Sequence, residues 1–144
     1  MSAHLSILAC IACALPMAVS TFANAGDRPI TIAAVAEPPT VAGIDGNTLR
    51  IVAEEQLRTL DGCQVPRPVA VSIAVVEATN APASCTVNAT VLDRKTGAML
   101  GVAAGYAYAP AGAPGDPRPA LARTAVRNAV SRIPDVISAA CAKK

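Results

Sequence analysis

The apolar and polar positions along this chain divide it into a few short elements. The segment ITIAAVA, Ile30 to Ala36, has the β-branched content of a buried strand, and Glu37-Pro38-Pro39 ends it. From Thr48 to Leu60, Leu49, Val52, Ala53, Leu57 and Leu60 return at helical spacing. This predicts a helix capped by Asn47 or Thr48 and terminated at Gly62. Arg50, Glu54 and Arg58 fall four apart on its outer side, the pattern of a solvated charge ladder. Val69, Val71, Ile73 and Val75 then alternate with Ala70, Ser72 and Ala74, which predicts a strand over Val69 to Ala78 with one apolar face.

After the breaker TNAPAS come CTVNATVLD from Cys85 and AMLGVAAGYAYA from Ala98, joined by Arg94-Lys95-Thr96-Gly97, a four-residue hairpin turn. Pairing Asp93 with Ala98 sets Val91, Ala89, Val87 and Cys85 beside Leu100, Val102, Ala104 and Tyr106 on one face. The other face then joins Thr90, Asn88 and Thr86 to Gly101, Ala103 and Gly105, and sliding by one residue would mix the two sets. Residues 110–119, PAGAPGDPRP, hold no regular structure in this reading and form a mobile linker, because their four prolines and two glycines disrupt local order. From Ala120 onward, Ala122, Ala125, Val126, Ala129, Val130, Ile133, Val136, Ile137 and Ala140 make one helical stripe. Arg123, Arg127, Asn128, Ser131 and Asp135 lie opposite it, and Pro134 should kink the helix or begin a second one.

The order is therefore β-α-β-β-β-α, which predicts an α+β two-layer sandwich. Its sheet is mostly antiparallel and carries both helices on one face. Strand order does not follow from the pattern, although parallel first and second strands would be joined by a right-handed crossover.

The amino terminus changes the picture of where this domain works. An unbroken apolar run, Leu5 to Val19, leads to Ala23-Asn24-Ala25, the small residues of a signal-peptidase site. Residues 1–25 are thus expected to be a cleaved signal peptide and 26–144 a single exported domain, periplasmic or secreted. An uncleaved anchor is the rival reading, with Pro16 against it. Cys10 and Cys13 leave with the signal, so Cys63, Cys85 and Cys141 remain in an oxidising compartment. A helix returning from the Tyr106 end of the sheet to its Arg94–Gly97 end brings Cys141 towards Cys63. A Cys63–Cys141 disulfide is expected, with Cys85 as a small buried hydrophobe; Cys63–Cys85 pairing or no bridge are the alternatives.

The sole histidine, His4, lies in the signal. Its loss argues against Ser-His-Asp and Cys-His mechanisms and removes the commonest zinc ligand. No phosphate-binding glycine loop is present, and Glu54, Glu55, Glu77 and Asp93 have no spacing that suggests a catalytic pair. The chain is read as a non-enzyme with no cofactor and no metal. Aromatics are scarce beyond residue 25, only Tyr106 and Tyr108, so elements must pack closely through small aliphatic side chains.

Charge is uneven along the sequence. Residues 26–93 carry eight acidic and four basic side chains, residues 94–144 eight basic and two acidic. Arg118, Arg123, Arg127 and Arg132 are the candidate binding residues for an envelope protein or an anionic surface polymer, against the plainer reading of a solvated helix face. Nucleic acid is not expected, given export and the lack of stacking aromatics.

From Asp93 to Ile137, a D-x-x-T-G hairpin followed by an Ala-rich helix resembles accessory domains of the bacterial cell envelope. Examples are the amino-terminal domain of the Tol system's propeller protein and the lipoprotein activators of peptidoglycan synthases. The resemblance covers about a third of the chain, which departs from those lipoproteins in lacking a lipobox. It implies a non-enzymatic interaction module and carries over no site residue. A small-ligand or anion-binding carrier is the alternative, followed by a histidine-free hydrolase.

Overall fold

The computed structural model describes residues 28–36, 43–60 and 65–143. The segment expected to be a signal, Gly62 and Cys63 lie outside them, and so does the expected Cys63–Cys141 pairing. The elements are β1 (Ile30–Ala36), α1 (Gly46–Arg58), β2 (Val69–Asn80), β3 (Ala83–Asp93), β4 (Met99–Tyr108), α2 (Arg118–Ser131) and α3 (Ile133–Ala142). The strands form one sheet in the order β1-β2-β3-β4, with β1 parallel to β2 and the other pairs antiparallel. This is the α+β fold the hydropathy pattern predicts. Among the described residues no helix is long and apolar enough to cross a membrane.

Local chemistry accounts for the element ends. The cap of α1 is Asp45, two or three residues before the expected Asn47 or Thr48, because its carboxylate accepts from Asn47 N at 3.3 Å and Thr48 N at 2.9 Å. Those bonds, with one from the Thr48 hydroxyl, hold the Asp45 carboxyl below its ordinary pKa. The last helix breaks after Ser131 as Pro134 requires. Pro119 and Pro134 both sit in first turns, where the missing N–H leaves no helical bond unmade.

All three helices share one core with one face of the sheet. Val69, Val71, Ile73 and Val75 of β2 meet Leu49, Val52, Ala53 and Leu57 of α1 and Ala122, Ala125, Val126, Ala129, Val130, Ile133 and Ile137 of α2 and α3 in a single buried cluster. With no buried aromatic ring among the described residues, close backbone approach replaces bulk. A Cβ on Gly105 would overlap the Ala125 carbonyl oxygen and lie 2.5 Å from Ala129 N, so α2 rests directly on the β4 backbone.

That contact explains the one register error in the sequence reading. Asp93 and Ala98 do close the hairpin, with Asp93 N donating to Ala98 O at 2.8 Å. Leu92 then pairs with Met99, but Val91 pairs with Gly101, so Leu100 is an inserted residue. Beyond this bulge the covered face joins Val91, Ala89, Val87 and Cys85 to Gly101, Ala103, Gly105 and Ala107. The expected partners Val102, Ala104 and Tyr106 turn to the opposite face instead. Steric relief decided the register: the helices need a shallow β4 surface, and a tyrosine at the Gly105 position would hold α2 away.

Candidate functional site

Three surfaces of this fold could receive a partner: the sheet edges, the basic helix and the polar hairpin face. The helices occupy part of both edges. Asn128 Nδ2 donates to Tyr106 O at 2.8 Å and Arg132 Nη1 to Ala104 O at 3.0 Å, closing alternate carbonyls of β4. On β1, Arg50 Nη1 donates to Ile32 O at 3.0 Å beside a bulge. Arg50 is therefore an edge clamp and not a rung of the expected charge ladder, and Asn128 is not simply solvated. Side chains that occupy edge carbonyls hinder strand addition by another chain.

The predicted basic set is dispersed. Arg118 is bound by Asp116 through Nε and Nη2, the shortest contact being 2.7 Å. This pair raises the Arg118 pKa and lowers that of Asp116, chiefly through the side-chain hydrogen bonds. Arg123 lines a cleft of about 170 Å³ with Asp45 and Thr48, Arg132 clamps β4, and Arg127 stays exposed on the outer side of α2.

Among the described residues no helix covers the third surface. Across its middle run Ala34, Ser72, Thr90 and Val102, then Ala36, Ala74, Asn88 and Ala104. Tyr106, beside Thr86, is 57% exposed, and Tyr108, beside Ser84, is 84% exposed. Met99 and Val102 are also exposed. No lysine or arginine lies in these rows. The alternation of β3 made its polar half readable from sequence, whereas the Leu100 bulge that brings Val102 and Tyr106 to it has no sequence signature of its own.

Of the four carboxylates weighed as a catalytic pair, Asp93 is engaged in holding the β3–β4 turn. Asp93 Oδ1 accepts from Lys95 N at 2.8 Å and Thr96 N at 3.3 Å, while Oδ2 takes Arg67 Nη1 at 3.1 Å. The bond from Lys95 N is the main reason its carboxyl lies below the ordinary range, with Thr96 N and Arg67 adding to it against the cost of burial. Cys85 is buried with a free thiol whose pKa burial raises. Cys141 also carries a free thiol, at a cleft of about 520 Å³ lined by Val65, Pro66 and Ser138. Another cleft, of about 320 Å³, lies between the β2–β3 turn and residues 109–117, with walls of Ala, Pro, Gly and Asn80.

No family model matches the chain, and no curated protein does. Among solved structures it is similar to a lipoprotein candidate from Caulobacter crescentus CB15, at 17% identity over 78% of this chain and 91% of that one, with a TM-score of 0.44. It is also similar to a DUF330 protein from Xanthomonas campestris, at 11% identity over 80% and 86% of the two chains, with a TM-score of 0.40. Neither description names a ligand, a partner or an activity.

Proposed function

We propose that this chain is a non-enzymatic, exported interaction module of the bacterial envelope that binds another protein through the open face of its sheet. The observation that carries the reading is the composition of that face. Small residues surround Val102, Tyr106, Tyr108 and Met99, with no lysine or arginine among them and one carboxylate, Glu77, in the row of Thr86 and Tyr106. Charge depletion with tyrosine and methionine marks the core of protein interfaces, whereas an anionic polymer or lipid would call for cations. Four strands of 7, 12, 11 and 10 residues offer about 600 Å² at ~3.3 Å per residue and ~4.8 Å per strand. That is below the ~800 Å² per partner of a standard interface, so the contact is transient or includes flanking loops. Export rests on the Leu5–Val19 run and Ala23-Asn24-Ala25. Cys141 carries a free thiol in the structure; its oxidation to a Cys63–Cys141 bridge after export belongs to the same proposal, supported by Val65, two residues from Cys63 in sequence, lining one cleft with Cys141. Peptide mapping without reduction tests it, and free thiols at both positions would remove it.

The test of the surface is in-cell cross-linking of the full chain, comparing wild type with Asn88→Arg. The expected result is an adduct with a different protein that falls at least tenfold in the variant while its thermal melt is unchanged. An adduct indifferent to Asn88→Arg, or one formed only between two copies of this chain, overturns the reading.

A further inference from the structure

The sheet brings together a second cluster that neither half of the sequence reveals. Arg28 precedes β1, Arg67 precedes β2 and Arg94 opens the β3–β4 turn. Ile30 pairs with Val69, and Val69 with Asp93, so these three strand ends are neighbours. Their arginines line one cleft of about 340 Å³ with Pro29, Val65, Pro66 and Pro68.

Asp93 is the carboxylate in contact with this cluster, and Arg67 Nη1 already engages its Oδ2. Arg94 spends Nη2 on the carbonyl of Arg28 at 3.0 Å. The guanidinium of Arg28 has no bonding partner among the described residues. Among the described residues, three cations against one carboxylate leave an excess of positive charge with several N–H donors unspent. Two of the backbone acceptors at this corner are occupied: Pro29 O takes Val69 N at 2.8 Å, and Pro68 O takes Arg94 N at 3.0 Å. The proline-rich wall supplies few N–H groups of its own, so recognition falls to the arginines.

We propose that this cleft binds a phosphate group of the monoester type, held by Arg28, Arg67 and Arg94. Planar guanidinium forks match phosphate oxygens bidentately, and a doubly charged anion balances the excess charge. Val65 and Pro66 are shared with the uncharged cleft that ends at Ser138 and Cys141. The phosphate can thus be free or the head of a lipid whose chain follows that wall. The site is distinct from the open sheet face and does not depend on it.

The test uses the exported chain at fixed ionic strength, titrated with inorganic phosphate by calorimetry and, separately, floated with vesicles of phosphatidic acid in phosphatidylcholine. Wild type is expected to bind at least one probe. Arg28→Gln/Arg94→Gln should bind it at least tenfold more weakly, and Arg58→Gln on the outer side of α1 should bind normally. Phosphate binding alone assigns a free anion, and binding of vesicles assigns a lipid headgroup. If the double variant does not fold, phenylglyoxal labelling of wild type decides. The bound probe should slow modification of Arg28, Arg67 and Arg94 and leave Arg58 unaffected. Binding of neither probe, undiminished binding by the double variant, or uniform labelling overturns the proposal.

Discussion

The two faces of the β3–β4 hairpin are built from the same two strands and obey opposite rules. On the covered face, valines of β3 stand beside glycine and alanine of β4, and α2 occupies the space the small residues leave. On the open face, Thr86, Asn88 and Thr90 stand beside Tyr106, Ala104 and Val102, with no helix to fit. Where a second layer must touch backbone, volume is constrained to a fraction of a side chain. Where there is no second layer, side chains are free to vary for another purpose.

The largest effect is expected from Gly105→Val. Its side chain would meet the Ala125 carbonyl and the Ala129 backbone, neither of which is a flexible tip. A loss of about 3 kcal/mol or more is expected in urea unfolding, a large part of the stability of a domain this size. An unchanged midpoint would mean that α2 does not rest on β4. Gly101→Ala is the milder version, since its Cβ would lie 2.7 Å from Cγ1 of Val136. It should cost about 1–2 kcal/mol, and a double-mutant cycle with Val136→Ala should recover part of that cost.

The hairpin turn, where both faces end, gives a pH signature. The folded state lowers the pKa of Asp93, so its contribution is present above the unfolded carboxylate pKa of about 3.9 and is lost as pH falls through the folded value. Asp93→Asn should therefore lower stability at pH 7 and flatten its decline from pH 5 to pH 3, followed by urea melts at each pH. Asp45 and Asp116 contribute acid sensitivity of the same sign, so the decline should flatten without vanishing. The smallest effect belongs to the open face. Tyr106→Ser should change stability by no more than about 0.5 kcal/mol, as for other exposed positions away from the core. A larger loss would show that this face is not free.

Much of the fold was written in local patterns. The bounds of β1, the inward set of β2, the core stripe of α2 and α3, and the break at Pro134 all follow from periodicity and backbone chemistry that each segment carries by itself. The Asp93–Ala98 closure is equally local, set by a short turn that Gly97 completes at a φ of 71°. Strand order, the Leu100 bulge and the two clamped edges belong to the tertiary structure, because each depends on which surfaces meet across long stretches of chain. The predicted basic stripe illustrates the difference: four arginines close in sequence scatter to Asp116, a cleft beside Asp45, the β4 edge and the outer surface. Arg28, Arg67 and Arg94, far apart in the chain, meet because parallel and antiparallel pairing bring three strand ends to one corner. Sequence determined what each segment could become. Packing of a nearly ring-free core, in which helices must touch strand backbone, decided which side chains were left facing outward to be used.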